Sequence, residues 1–261
     1  MIVAQVTDPH VSIPGARLYG GYDPAVALRA VLARIDALFP RPDLVLFTGD
    51  LVELGLAEEY AHFLELLAGC RLPCAAIPGN HDRRDAFRTA LAGSQVRIGS
   101  DPSWAHLAID DLPLRVIGLD TLDLEGEAGG VLDEGRLAWL RRRLDEAPDR
   151  PTLIFMHHPP FRTGIDFMDI WGLAHPERLA AIVARHPAIL RISCGHVHRA
   201  VETTWNGITA GVCPAVAWQV PLCAPDARPR PTPQAPAFQL HRWTKATGLV
   251  THTEVLTGIG A

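Results

Sequence analysis

The sequence has no excess of positive charge. Its 261 residues carry 24 Lys and Arg against 29 Asp and Glu, which gives a formal net charge of −5 at pH 7. Because proteins that coat a nucleic-acid duplex are usually basic, we expect no duplex nucleic acid among the partners. Hydrophobic residues make up 48% and charged residues 20% of the chain, a balance that excludes a disordered protein and predicts a packed one.

The sequence also lacks a segment typical of secretion or of a membrane span. Residues 1–8 carry no basic side chain before their short apolar run, unlike a signal peptide. The longest uncharged stretch, residues 203–225, contains three prolines and two glycines, so it would form a poor helix in lipid. We predict buried strand and loop there, and we expect no membrane partner.

Cysteine is scarce. The five cysteines include Cys70 and Cys74, a pair that has no second pair to complete a zinc site. An odd number of cysteines in a mid-sized chain is typical of buried, reduced thiols. We therefore expect a cytoplasmic protein without a disulfide framework.

Short apolar runs alternate with amphipathic segments, a pattern typical of an α/β fold. We predict strands at residues 2–6, 44–48, 74–77, 114–119, 153–156 and 190–193. Helices are predicted at 24–39, 58–68, 85–91, 133–144 and 176–185, the first capped by Asp23. A Pro-rich connector and a terminal hairpin follow, so we divide the chain into a large domain, 1–223, and a small C-terminal appendage, 224–261. The appendage is expected to pack on the same domain or at an oligomer interface.

Polar side chains gather where the predicted strands end. Histidine is unusually frequent, at twelve residues, and five of the six predicted strands are followed directly by carboxylate, amide or imidazole groups. In an open α/β sheet, ligands bind at this edge. The candidate donors are Asp8, His10, Asp50, Asn80, His196, His198 and one of the adjacent His157 and His158, between which strand alternation alone does not choose.

Seven donors exceed the three protein ligands of a typical catalytic zinc and suit two ions that share a carboxylate. Since no thiolate is among them, the set indicates Mn, Fe, Co or Zn at a catalytic site rather than structural zinc. Each motif alone occurs more often in a helix cap or a turn than in a metal site. Their joint occurrence at successive strand ends favours a metal centre. Six further histidines fall outside the motifs, and we predict surface or capping roles for them: His62, His106, His175, His186, His241 and His252.

The ordered motifs Asp-x-His, Gly-Asp, Gly-Asn-His-Asp, His and Gly-His-x-His, from residue 2 to about 200, resemble those of the calcineurin-like metallophosphoesterases. Leu18-Tyr-Gly20, the segment Phe-Met-His-His-Pro-Pro at 155–160 and Gln219-Val-Pro221 are most similar to bacterial glycerophosphodiesterases and class III cyclic-nucleotide phosphodiesterases. The resemblance implies a four-layer α/β/β/α sandwich of two mixed sheets, with residues 1–223 as the catalytic domain.

The resemblance also implies two metal positions that share Asp50. The first adds Asp8, His10 and His198, and the second adds Asn80, His157 and His196, while His158 is not a ligand. His81 would face the substrate phosphate, with Asp82 orienting it.

The function implied is a dinuclear metal-dependent phosphodiesterase that hydrolyses small phosphodiesters, cyclic nucleotides or glycerophosphodiesters, by attack of a metal-bound hydroxide. One alternative is a phosphomonoesterase or protein phosphatase on the same metal core, for which Arg17, Arg83 or Arg162 would have to hold the extra phosphate charge. A second alternative is a non-catalytic scaffold of the same fold. By the same resemblance we expect a homo-oligomer, a dimer or larger.

Three aromatic residues are candidates for the substrate pocket: Tyr19, Phe161 and Trp218. Close glycerophosphodiesterases resembling this chain carry a histidine where it has Trp218. A tryptophan can stack on a base or cover an apolar leaving group, which favours a flatter or more apolar substrate. A purely structural position in the core is the alternative for both Trp218 and Phe161.

Overall fold

The computed structural model describes residues 1–19, 21–123, 129–222, 232 and 234–257. Its strands are β1 Ile2–Val6, β2 Leu44–Thr48, β3 Cys74–Ile77, β4 Val96–Arg97, β5 Leu107–Ile109, β6 Arg115–Leu119, β7 Thr152–Met156, β8 Ile189–Cys194, β9 Val201–Trp205, β10 Ile208–Val212, β11 Ala237–Thr244 and β12 Gly248–Val255. Its helices are α1 Pro24–Asp36, α2 Ala57–Leu67, α3 Arg84–Leu91, α4 Glu134–Asp145, α5 Asp166–Asp169 and α6 Pro176–Val183.

The first sheet has the order β12-β11-β1-β2-β3-β4. Strands β1 to β4 run parallel, whereas β11 pairs antiparallel with β1 and β12 antiparallel with β11. The outward side chains of this sheet form one core with α1, α2 and α3. Helix α1 begins where expected, because the Asp23 carboxylate accepts hydrogen bonds from the N–H groups of Ala25 and Val26.

The second sheet has the order β5-β6-β7-β8-β10-β9, with parallel pairing from β6 to β10 and an antiparallel strand at each edge. Its outer face packs against α4 and α6. A third core lies between the two sheets, where Leu46 and Ile77 of the first meet Val116 and Phe155 of the second. The expected four layers, two mixed sheets with helices outside, are confirmed.

The six predicted strands are all present, with ends within one residue of the prediction. The predicted helices are also present, and the largest difference is that α1 stops at Asp36 instead of 39, ahead of Pro40. The prediction missed β4 and β5, which are two and three residues long, and the single turn α5. Strand β10, whose last three residues are buried, supplies the buried strand expected in residues 203–225, whereas β9 is partly exposed along its length.

The terminal hairpin is formed by β11 and β12, and it extends the first sheet. A buried polar network joins it to both sheets through Gln5 of β1. The Gln5 Oε1 accepts hydrogen bonds from His241 Nε2 at 2.9 Å and Ser193 Oγ at 2.7 Å, and its Nε2 donates to Thr48 Oγ1 at 3.0 Å. The predicted boundary at residue 223 lies outside the described residues. Within the described residues, no helix is both long and apolar enough to cross a bilayer.

A surface position, one of the two roles predicted for the histidines outside the motifs, is wrong for four of the six. His62, His106, His186 and His241 are buried. His241 and His62 are held by hydrogen bonds, to Gln5 and to the Ser12 carbonyl, so they are interior polar groups with partners.

Candidate metal centre

The carboxyl ends of five strands, three from the first sheet and two from the second, meet at one edge of the sandwich. Each strand delivers its polar residues within four positions of its last residue. The side chains brought together are Asp8 and His10 after β1, Asp50 after β2, Asn80 after β3, His157 after β7, and His196 and His198 after β8. All seven predicted donors therefore lie in one cluster, in which Asn80 is exposed and the other six are buried, although Asp8 and His198 are 190 residues apart in the chain.

The backbone of this cluster is strained. Five of its residues adopt the left-handed region that side chains other than glycine rarely occupy: Asp8 (φ 50°), His10 (φ 47°), Asp50 (φ 50°), His196 (φ 73°) and His198 (φ 52°). Such conformations cost on the order of 1–3 kcal/mol each and persist only where the surrounding structure enforces them. The fold thus holds these side chains in place at a cost in stability.

Two glycines allow the strand ends to approach closely. A Cβ at Gly79 would lie against Asp50 Oδ1 and 2.7 Å from His157 Cε1, which is closer than real Cβ atoms come. A Cβ at Gly195 would lie against Thr7 Oγ1 and 2.8 Å from Asp8 Oδ2. Only glycine therefore fits at these two positions next to the donors.

The residues predicted for the first metal position are Asp8, His10, Asp50 and His198, and their ligand atoms all lie within 4.8 Å of one another. His10 Nδ1 donates to Glu53 Oε2 at 2.8 Å, and His198 Nδ1 donates to the Trp218 carbonyl at 2.9 Å. In the neutral imidazoles the lone pairs are then on Nε2, and these two atoms face each other at 3.0 Å. His198 Nε2 also lies 3.3 Å from Asp8 Oδ1, so acceptor atoms converge here.

The residues predicted for the second metal position are Asp50, Asn80, His157 and His196. His157 Nδ1 donates to the Thr48 carbonyl at 2.8 Å, which leaves Nε2 as the free ring atom. That Nε2 lies 3.1 Å from Asn80 Oδ1 and 3.3 Å from Asp50 Oδ2. His196 Nδ1 lies 3.0 Å from the same Asn80 oxygen. Asp50 reaches both positions, since its Oδ2 is also 3.6 Å from His10 Nε2.

The electrostatics keep the carboxylates of the cluster ionised. Burial opposes ionisation of Asp8, but His198 and His157 lower its pKa below the ordinary value. Burial is likewise outweighed at Asp50, where His157 and His81 hold the pKa well below its usual range. Burial lowers the pKa of His10, whereas at His157 the charge of Asp50 overcomes burial and raises the pKa to about 9. Protons thus occupy part of this donor set without metal, and a cation would displace them.

The residues fit two divalent cations. The two predicted metal positions are surrounded by lone pairs, which come from imidazoles, an amide oxygen and two buried carboxylates. A proton or a cation is needed there to relieve the repulsion between these lone pairs. The donors are nitrogen and oxygen only, which suits Mn, Fe, Co or Zn. His158 lies beside His196, with ring centres 4.7 Å apart, and its Nδ1 is hydrogen-bonded to Thr121 Oγ1 at 2.8 Å.

His81 lies at the rim of the donor cluster, and Asp82 lies beneath it. The His81 N–H donates to Asp50 Oδ1 at 2.8 Å, and its Nδ1 donates to the Glu53 carbonyl at 2.7 Å. Asp82 is buried and accepts from Gly79 N–H at 2.9 Å and from the Tyr60 hydroxyl at 2.8 Å, so it shapes the turn that presents His81. Burial and the charge of Asp50 raise the pKa of Asp82 to about 7.

The predicted pocket aromatics occupy different environments. Tyr19 is 51% exposed and packs on Trp218 with ring centres 4.1 Å apart. Trp218 is only 9% exposed and also packs on His10 and His198, so most of its ring is covered by the protein. Phe161 is partly buried against the core of the second sheet. Of the three, Tyr19 presents the most surface to solvent beside the metal positions.

Sequence reasoning missed Glu53. Its side chain is 12% exposed, it bonds to His10 and Tyr19, and His10 lowers its pKa against the effect of burial. A signal was present, because Glu53 follows Asp50 by three residues on the same strand-end loop. A single acidic residue in a loop is too common to be singled out without the contact to His10.

Comparisons with known proteins agree on one family. Residues 1–200 match the family model of the calcineurin-like phosphoesterases. The chain is 38% identical over 258 residues to a probable glycerophosphodiester phosphodiesterase, GpdQ, of Arcobacter nitrofigilis, and the match covers 98% of this chain and 93% of that protein. It is 32% identical over 209 residues to the 3′,5′-cyclic adenosine monophosphate phosphodiesterase CpdA of Escherichia coli, which covers 78% of this chain and 72% of that one. A dimetal phosphatase from Danio rerio aligns over 98% of both chains with a TM-score of 0.72 and 16% identity, a likeness of fold.

Proposed function

The chain belongs to the calcineurin-like phosphoesterase family, and from this membership we propose that it is a dinuclear metal-dependent phosphodiesterase acting on small phosphodiesters. Cyclic nucleotides and glycerophosphodiesters are the two substrate classes. The names of the relatives support both, because one is a glycerophosphodiester phosphodiesterase and another a cyclic-AMP phosphodiesterase.

The observation that carries the proposal is the convergence of lone pairs at the two metal positions. Asp8, His10, Asp50 and His198 would hold one ion, and Asp50, Asn80, His157 and His196 the other, with Fe, Mn, Zn or Co as the metals. When bound, the two ions supply an activated water and polarise the phosphate oxygens.

The neighbouring residues suit an anionic diester. Asn80 is an uncharged donor, so it adds no negative charge that would repel the phosphate. Among the described residues His81 Nε2 has no hydrogen-bond partner, which leaves it available to a phosphate oxygen or to the leaving alkoxide. Against the effect of burial, Asp50 raises the pKa of His81, so the protonated ring that a general acid requires is favoured.

The test is a substrate panel on protein reconstituted with each metal. It compares bis(p-nitrophenyl) phosphate with p-nitrophenyl phosphate, then 3′,5′- and 2′,3′-cyclic AMP with glycerophosphoethanolamine. We expect faster turnover of the diester than of the monoester, and a strong monoester preference would overturn the proposal. Hydrolysis that survives a chelator, or full activity in Asp50→Asn, would refute the dinuclear site.

A monoesterase needs a cation for the additional phosphate charge. Of the three arginines considered, Arg17 donates to the Gly21 carbonyl and Arg162 pairs with Asp166 and Asp169. Arg83, exposed and two residues after His81, has no ion pair among the described residues and is the candidate that this alternative would use. An Arg83→Gln variant that lost monoester turnover selectively would favour the alternative.

Two further properties belong to the same proposal. A cytoplasmic location is supported by four free cysteines, Cys70, Cys74, Cys194 and Cys213, which would suit a reducing compartment. A homo-oligomer, a dimer or larger, is expected from the family resemblance, and light scattering at micromolar concentration measures it. A monomeric mass would remove that expectation.

A further inference from the structure

Among the described residues outside the predicted donor set, Glu53 alone hydrogen-bonds through its side chain to a ring nitrogen of a predicted histidine ligand. The Nδ1 atoms of His157 and His198 donate to backbone carbonyls, those of Thr48 and Trp218. His10 Nδ1 instead donates to the side-chain carboxylate of Glu53, at 2.8 Å. Among these three histidines, His10 therefore depends on a partner that a substitution can remove.

The other oxygen of Glu53 is engaged as well. Its Oε1 accepts the hydroxyl of Tyr19 at 2.9 Å, and Tyr19 packs on Trp218, which packs on His10. The carboxylate is thus fixed from both sides within a closed ring of contacts. A carboxylate held in this way fixes the rotamer and the tautomer of the imidazole it contacts.

An alternative reading of this cluster is a third cation site, because His10, Glu53 and His81 bring ligand atoms within 4.8 Å of one another. The hydrogen bonds argue against it. His81 Nδ1 faces the Glu53 carbonyl at 2.7 Å and therefore carries a proton, as does His10 Nδ1 opposite the carboxylate. Two N–H groups face this place, so the cluster orients ligands and does not bind a metal itself.

We propose that Glu53 is a positioning residue of the first metal position, an inference that rests on the proposed dinuclear site. Its carboxylate keeps the proton of His10 on Nδ1 and presents the Nε2 lone pair to the cation. The negative charge also makes the imidazole a stronger donor. Because the same carboxylate also accepts the Tyr19 hydroxyl, it connects the exposed ring of Tyr19 to His10.

The experiment measures metal affinity without any substrate. Full-length protein freed of metal with a chelator is titrated calorimetrically with Mn²⁺ and Zn²⁺, as wild type, Glu53→Gln and Glu53→Ala. His198→Ala and Asn80→Ala identify which phase of the isotherm belongs to the first and which to the second position. Glu58→Gln is the matched control, since Glu58 is an exposed carboxylate at the start of α2.

We expect the phase lost in His198→Ala to weaken about 10- to 100-fold in Glu53→Ala, and less in Glu53→Gln, which keeps an acceptor but no charge. The other phase and the control should keep wild-type affinity, and circular dichroism should show an unchanged fold before metal is added. The Co²⁺-loaded protein should show an altered visible spectrum in Glu53→Ala.

Wild-type affinity at both positions in Glu53→Ala would overturn the inference, and so would an equal loss at both. Failure of the wild type to hydrolyse any phosphodiester would overturn the proposed function alone. The metal titration would still decide the role of Glu53, so the two failures are distinguishable.

Discussion

Asn80 is the one uncharged side chain other than histidine among the donors proposed for the two metal positions. Its Oδ1 lies 3.1 Å from His157 Nε2 and 3.0 Å from His196 Nδ1, so in the proposed site it would be a neutral amide ligand. Asp50, which the two positions share, already supplies negative charge to the same place. A neutral fourth donor leaves room for an anionic phosphate.

Replacing Asn80 with Asp tests this balance. The carboxylate should bind the second cation more tightly and repel the diester, so we expect a higher metal affinity together with a KM raised about 10-fold, or roughly 1.4 kcal/mol. Metal titration and steady-state kinetics on bis(p-nitrophenyl) phosphate measure the two effects separately. A variant with unchanged KM would show that charge at this ligand does not govern substrate binding.

Residue types at the site were predictable, and their pairwise contacts were not. Asp8-x-His10 and His196-x-His198 are readable because two residues of one strand end share a side of the backbone. The sequence does not single out Glu53, because its role rests on a contact with His10, which is 43 residues away in the chain. The sequence does not decide between pocket and core for Trp218, because its burial under Tyr19 depends on how two loops pack together.

At the scale of elements, the turn after β3 has to pass close to the turn after β2 and the end of β7. Gly79 is at the point of contact, where its missing side chain leaves space for Asp50 and His157. The metal positions therefore depend on how tightly the strand ends approach, as well as on the donors themselves.

Gly79→Ala should push these strand ends apart. We expect a loss of about 1–3 kcal/mol in the free energy of unfolding, typical of overpacking, and weaker metal binding at both positions. Gly69→Ala is the control, because a Cβ at Gly69 would meet no atom within 4 Å. Chemical denaturation and metal titration of both variants measure the effect, and equal behaviour of the two would contradict the close-approach argument.

The terminal hairpin should make stability depend on pH. Burial, together with the charge of Arg191, lowers the pKa of His241 to about 3. The unfolded chain takes up this proton near pH 6.5 and the folded protein only near pH 3. His241 therefore contributes stability above pH 6.5 that is lost as the pH falls from 6.5 toward 3.

In His241→Gln, the free energy of unfolding should fall less steeply between pH 6 and 4 than in the wild type, by about 1.4 kcal/mol per pH unit. The measurement is urea denaturation of metal-free protein across this range. His252→Gln, at an exposed histidine of the same hairpin, should keep the wild-type slope. Identical slopes in all three proteins would show that His241 does not supply the proton dependence.

Element types and boundaries followed from local patterns wherever the elements were long. The strands next to the site were placed within one residue, because buried parallel strands read as continuous apolar runs flanked by turn residues. β4 and β5 were missed because two or three residues are too few to show a period, and pairing with β3 and β6 defines them.

At the scale of the whole molecule, the terminal hairpin is part of the catalytic fold. β11 pairs with β1 from Ile2 to Gln5, and Phe238 is fully buried in the core beneath α1 and α2. Without the hairpin, β1 would become an edge strand and Gln5 would lose one hydrogen bond.

A chain ending at residue 222 should therefore lose cooperative folding and metal binding together. Thermal denaturation followed by circular dichroism, with metal titration, measures both. Cooperative unfolding of this shortened chain, with two bound ions, would show that the hairpin is dispensable and that residues 1–222 fold independently.

The α/β class, the strand ends that carry donors and the chemical type of the candidate metal centre follow from the order of the amino acids, because each of these depends on residues close together in the chain. The meeting of donors from both sheets, the ring nitrogen that each histidine presents and the contact of Glu53 with His10 follow from the three-dimensional packing instead. Those relations join residues up to 190 positions apart. They depend on sheet order and on packing to within about an ångström, which no local periodicity encodes.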